Sequence, residues 1–160
     1  MKDWQNNIKE FVSKANVYDV KMILVGGGAV QFHGYPRNSF DVDFWIDTSN
    51  ENFDKLLKVF SDMGYELERF PETVINQEQN ISIKFAPLDL DLELITNFSV
   101  NKSFNEAYNS AIEFSFDSDL NAKSKVLAFD DLITSKIKAG RPKDLLDVQE
   151  LNRIQKMKPK

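Results

Sequence analysis

Two stretches of this chain alternate acidic and apolar residues with a period of two: "FDVDFWID" over residues 40–47 and "LDLDLELIT" over 88–96. A β-strand sends successive side chains to opposite faces, so this period predicts strands whose two faces differ completely. Asp41 and Asp43 share one face of the first, about 7 Å apart, while Val42 and Phe44 take the other. In the second, Asp89, Asp91 and Glu93 share a face opposite Leu88, Leu90, Leu92 and Leu94. The bland reading of such a face is solvation. The apolar face, however, puts each strand inside a domain, and burying an unpaired carboxylate there costs several kcal/mol. The acidic faces therefore look into a cleft or a metal site. If the strands pair, four or five carboxylates converge, and a divalent cation would relieve their repulsion. With no cysteine and one histidine, oxygen donors dominate, which favours Mg²⁺ or Mn²⁺ over Zn²⁺.

The rest of the chain supplies a frame for these strands. Trp4, Ile8, Phe11 and Val12 have helical spacing, and "VKMILVGG" is a buried strand stopped by glycine. "GAVQFHGY" reads as a short helix closed by Gly34 and Pro36. "TSNENFDKLLKVFSDMGY" opens with cap residues and aligns Phe53, Leu56, Leu57 and Phe60 on one face. "ISIKFA" is a further strand, separated from the second acidic strand by Pro87; "SFNEAYNSAIEF" reads as helix and "SKVLAF" as strand. Two C-terminal helices meet at Gly140-Arg141-Pro142, with glycine as stop and proline as start, and "KMKPK" is expected to fray. The expected class is α+β: a mixed sheet with flanking helices in a single domain over 1–160, its core at about 20–130 and its C-terminal helices at about 130–155.

Composition narrows the partners. A net charge of −5 and a pI near 5.0 give no global attraction to nucleic acid or anionic membrane. Thirteen Phe and two Trp are expected mainly in the core, Trp45 among them. The absence of cysteine suits a reducing compartment, and neither a signal-peptide pattern nor a membrane-length apolar run is present, so a cytoplasmic location is expected.

Gly26, Gly27 and Gly28 follow the first strand and lie upstream of Asp41 and Asp43. Alone they form a tight turn; with the carboxylates they suggest backbone N–H groups left bare for a polyphosphate. Neither the dinucleotide fingerprint nor a P-loop is present. "GGGAVQFHGYPRNSFDVDFWID" resembles the nucleotidyltransferase superfamily related to DNA polymerase β: a Gly-Gly or Gly-Ser turn, a helix, and a strand bearing Asp-x-Asp. Within it the chain is similar to small bacterial nucleotidyltransferases that include toxins of type IV abortive-infection systems, a likeness extended by "FDDLITSKIKAGRPKDLLDVQEL".

This resemblance implies a polymerase β-like fold. It implies that Gly26 and Gly27 hold a triphosphate, with Gly28 opening the helix, and that Asp41 and Asp43 bind metal. A third catalytic carboxylate falls on the second acidic strand: Glu93 by its distance from Thr96, Asp91 by residue type and as a further metal ligand. Arg37 and Ser39 are candidates for phosphate contact, balanced against surface roles. Lys136 is evenly placed between a phosphate contact and a solvated lysine. Arg141, Lys143, Asp144 and Asp147 read as an ion-pair network holding the last helix, with Lys143 also a candidate nucleic-acid contact, and His33 as a helix-end packing or capping residue.

The leading expectation is Mg²⁺-dependent transfer of a nucleoside monophosphate from an NTP to an acceptor hydroxyl. The acceptor is a tRNA end, a protein or a small molecule, and the biological setting a toxin with an antitoxin partner. The alternatives are a non-catalytic nucleotide-binding module, regulatory or antitoxin-like, and more distantly a Ca²⁺-binding structural domain.

Overall fold

The computed structural model describes residues 6–36, 41–85, 91–115 and 122–158. It is the expected α+β arrangement, a six-stranded mixed sheet with helices packed against it. The strands are β1 (Met22–Val25), β2 (Asp41–Ile46), β3 (Ile81–Ile83), β4 (Asp91–Ile95), β5 (Ile112–Ser115) and β6 (Lys123–Val126), in the order β3-β4-β2-β1-β6-β5. β2 lies parallel to β4 and antiparallel to β1, which runs parallel to β6; β3 and β5 close the two edges antiparallel.

One sheet face carries the aromatic core. Helices α1 (Asn6–Val17) and α3 (Asn50–Asp62) cover it. Phe11 of α1 packs on Phe44 of β2 at 6.3 Å between ring centroids and stacks on Phe60 of α3 at 5.9 Å. Phe70 joins from the loop beyond α3, against Phe53 and Phe60. Phe11 and Phe44 are fully buried, and each side chain of this size removed from water stabilises the fold by about 1.5–3 kcal/mol. Ser49 caps α3 by accepting the N–H of Asn52. The buried Asn52 side chain accepts from the Lys21 N–H and donates to the carbonyls of Lys21 and Asp47, so α3 is pinned to the β1–β2 end with its amide satisfied.

Several boundaries depart from the sequence pattern. Residues 103–114 do not form one helix. Ser103 and Glu106 make a reciprocal capping box that starts α5 (Phe104–Ser110), but Ala111 is extended and residues 112–115 become β5. Ile112, Glu113 and Phe114 pair with Val126, Lys125 and Ser124, and this sheet pairing outweighs the short helical period. A one-turn helix, α4 (Glu72–Ile75), was not expected. The C-terminal pair follows the sequence closely: α6 (Phe129–Ala139) stops at Gly140, whose φ is +64°, and α7 starts on Pro142. α7 continues to Met157, two residues into the stretch expected to fray. Trp4, Pro87 and the start of the second acidic run lie outside the described residues. Among the described residues no helix is long and apolar enough to cross a membrane.

Candidate active site

β1 runs into the glycines directly, so the first helical residue of α2 (Gly26–Phe32) follows Val25 with no intervening loop. In the β1–β2 ladder Val25 lies opposite Asp43, which places Gly26 beside the Asp43 carboxylate. Gly26 has φ +63°, and a Cβ built there would stand 2.5 Å from Asp43 Oδ2. The position therefore needs glycine twice over, for its left-handed backbone and for the space the carboxylate occupies. The special backbone belongs to Gly26 rather than Gly27, and Gly28 does not open the helix. A Cβ on Gly28 would press at 3.0 Å on Leu24 Cδ1, so that glycine lets α2 sit close on β1.

The second acidic strand is the neighbour of the first. β4 pairs with β2 in parallel register, Asp41 with Asp91 and Asp43 with Glu93. Adjacent strands are about 4.8 Å apart, so four carboxylates project from a patch two residues long and two strands wide. Val42, Phe44, Leu92 and Leu94 are buried on the core side, as the alternation requires. On the acidic side the same face turns apolar one step further along, where Trp45 packs on Phe98 at 5.3 Å and edge-on to Phe104 at 5.2 Å. Trp45 is thus core, and the carboxylates occupy the end of the face next to α2.

Asp43 is the pivot of this patch. Burial, reinforced by the negative charges of Glu93 and Asp41, pushes its carboxyl up to about 6; the charges of Lys136 and Lys143 act in the opposite direction. Its Oδ1 is buried and has no hydrogen-bond partner. A carboxylate oxygen in that position, shared with acidic neighbours and walled by a glycine, fits an oxygen-ligated divalent cation. Asp41, Asp91 and Glu93 are the other donors on hand. Among the described residues, no group of three or more acidic or histidine side chains stands close enough to hold a metal ion.

The cationic side comes from the C-terminal helices. Lys136 is 7% exposed and bridges two buried acids of α7, Asp144 at 3.4 Å and Asp147 at 3.2 Å. Arg141 closes on Asp144 through its Nε at 2.6 Å, and the pairing holds the Asp144 carboxyl below its ordinary range despite its burial. Arg141, Asp144 and Asp147 of the expected network are joined, with Lys136 inside it rather than in solvent. Its charge, with that of Lys143, still reaches Asp43. His33 ends α2, with Nε2 2.8 Å from the Leu127 carbonyl and its ring edge-on to Phe32 and Phe129; burial lowers its pKa, in keeping with a packing role. Arg37, Ser39 and Asp89 lie outside the described residues. Sequence reading gave no sign of Asn80, which stands before β3 and donates from Nδ2 to Glu93 Oε1 at 3.4 Å. It sits in a polar turn where neither strand nor helix period applies.

No family model matches the chain, and no curated protein matches its sequence. Among solved structures, it superposes on ANT(2″)-Ia in complex with adenylyl-2″-tobramycin with a TM-score of 0.51, covering 91% of this chain and 84% of that one. The chain therefore shares the α+β fold of that protein. At 13% identity the likeness shows the fold alone and assigns no residue roles.

Proposed function

We propose that this protein is a metal-dependent nucleotidyltransferase that moves a nucleoside monophosphate from an NTP to an acceptor hydroxyl. The observation that carries this reading is Asp43: a buried carboxylate oxygen without a hydrogen-bond partner, beside a glycine that has no room for a side chain and within a four-acid patch. The fold shared with ANT(2″)-Ia supports it, as does the adenylylated ligand carried by that protein.

In this reading Asp41 and Asp43, with Asp91 or Glu93, hold Mg²⁺ or Mn²⁺. The ion would supply charge neutralisation for the triphosphate and the departing pyrophosphate, and acidify the attacking hydroxyl. Gly26 and Gly27 bring bare backbone against the triphosphate. The carboxylate on β4 nearest the acceptor takes its hydroxyl proton as the oxygen attacks the α-phosphorus; the α–β phosphoanhydride bond breaks and pyrophosphate leaves. Lys136 and Lys143 contribute positive potential on the phosphate side. Arg37 and Ser39 belong to the same proposal as phosphate contacts.

The acceptor is a tRNA end, a protein or a small molecule. The acidic pI counts against RNA; the toxin role with an antitoxin partner rests on the sequence resemblance, and the cytoplasmic location on the absence of cysteine. Incubating the protein with each α-labelled NTP, Mg²⁺, and cellular RNA or protein identifies both substrates from the labelled product. Nucleotide that binds but labels nothing would leave the alternative, a non-catalytic nucleotide-binding module, regulatory or antitoxin-like.

A further inference from the structure

We infer that Asn80 is a positioning residue for Glu93, which selects Glu93 over Asp91 as the carboxylate that faces the acceptor. This inference rests on the transfer reaction proposed above. The Asn80 amide has one possible orientation. Its Oδ1 accepts the backbone N–H of Thr96 at 3.0 Å, and an N–H can only donate, so the oxygen must face Thr96. Nδ2 is thereby turned toward Glu93 Oε1, at 3.4 Å. Thr96 is itself held, because its Oγ1 donates to the Gln79 carbonyl at 3.0 Å and lies 3.5 Å from Asn80 Oδ1.

The clamp has a topological basis. Thr96 follows the last residue of β4 and Asn80 precedes the first residue of β3; the antiparallel pairing of Ile81 with Leu94 brings these ends together. Ser82 sits opposite Glu93 in the same ladder. Thr96 is buried, so its N–H needs an acceptor, and Asn80 satisfies it while presenting a fixed donor to the acid three residues back along the chain. Asp91, the other acid of that strand, lies two residues beyond Glu93 from the clamp. A long hydrogen bond of this kind limits the rotamers of Glu93 while engaging one of its two carboxylate oxygens. Hydrogen bonds of catalytic groups commonly tighten once substrate is bound.

Two substitutions separate positioning from structure. Asn80→Asp keeps an oxygen for the Thr96 N–H but sets an acceptor against Glu93, and Asn80→Ala removes both contacts. A positioning role predicts that both variants lose about 10- to 100-fold in kcat, with NTP affinity within about twofold of wild type. A purely structural role predicts that Asn80→Asp keeps its kcat and only Asn80→Ala suffers; that result overturns the inference. A second readout needs no turnover. In ¹H–¹⁵N spectra the Asn80 side-chain amide signals should move on Glu93→Gln and stay in place on Asp91→Asn. Signals indifferent to Glu93 overturn the inference whatever the kinetics show. A wild-type protein that transfers no nucleotide overturns the proposed reaction and the catalytic role with it, while the amide spectra still decide the contact itself.

Discussion

Replacing Asp43 with asparagine should make the metal-free protein more stable, although it removes the central group of the candidate site. Asp43 ionises at about 6 in the fold against an ordinary 3.8, because burial and the charges of Glu93 and Asp41 disfavour its anion. Its folded state thus holds a proton that the unfolded chain has already released. Stability falls as pH rises through this interval, from about 4 to about 6, and stays low above it. At about 1.4 kcal/mol per pH unit, the interval corresponds to at most about 3 kcal/mol. The asparagine amide inherits a buried position without a partner for every polar atom, which costs back about 1–2 kcal/mol. The net gain expected for Asp43→Asn at pH 7.5 is about 1–2 kcal/mol, or about 2–8 °C in Tm for a chain of this size. Thermal unfolding followed by circular dichroism in chelator, from pH 4.5 to 8, reads it. The difference between variant and wild type should be small at the acid end, widen through pH 6 and level off above. With Mg²⁺ and NTP present the order should reverse, since only the wild type gains ligand stabilisation. Equal Tm values at pH 7.5 in chelator, or a gap that does not change with pH, would refute the account of Asp43 as a strained anion.

Gly26→Ala forces a Cβ to within 2.5 Å of Asp43 Oδ2 on a backbone with φ +63°, and should destabilise by about 1–3 kcal/mol while weakening NTP binding beyond what the lost stability explains. Gly27→Val, at a buried position without positive φ, should impair binding through side-chain bulk alone; normal NTP binding by both variants, measured by calorimetry, would reduce the glycines to a turn. Lys136→Met removes the cation between Asp144 and Asp147 and should cost about 2–4 kcal/mol by chemical denaturation, and it should raise the pH at which Asp43 ionises, read by ¹³C NMR of its carboxyl. Glu93→Gln should cut transfer by orders of magnitude with NTP affinity within a few-fold, and Asp91→Asn should weaken metal dependence more than acceptor chemistry; identical kinetic profiles for the two would remove any division of labour on β4.

The sequence revealed the site to different depths in different places. Asp41, Asp43, Asp91 and Glu93 could be assigned to one face because alternation along a strand is a local property, and their pairing followed once β4 was taken as the neighbour of β2. The register that sets Asp43 against Glu93 and Asp41 against Asp91 is a long-range property, and no local pattern encodes it. Lys136 shows a similar limit. Its helix was plain from spacing, but whether a lysine lies in solvent or between two acids eight and eleven residues away depends on how α6 and α7 pack. β5 was mistaken for helix because Ile112 and Phe114 fit both periods over so short a run, and only the open edge of β6 decides between them. Asn80 gave no signal because its meaning lies in a backbone N–H sixteen residues away.

The acidic face also explains how a strand can carry such charge through the middle of a sheet. β2 is an interior strand, and its residues from Phe44 to Ile46 are buried on both sides, with Phe44 against Phe11 and Trp45 against Phe98 and Phe104. The apolar half anchors the strand, so the half bearing Asp41 and Asp43 need not contribute to stability and can hold a group that opposes it. Strain of this kind persists only where the surroundings over-determine the local structure. The buried Asp43 oxygen is therefore kept in a disfavoured state by packing one to three residues along β2, and a bound cation would recover that free energy as affinity. If this coupling is right, weakening the anchor with Trp45→Leu should lower stability and at the same time let Asp43 relax toward solvent, bringing its ionisation back toward 3.8 and reducing Mg²⁺-NTP affinity together. A variant that loses stability but keeps both the raised ionisation and the affinity would show that the two halves of the face act independently.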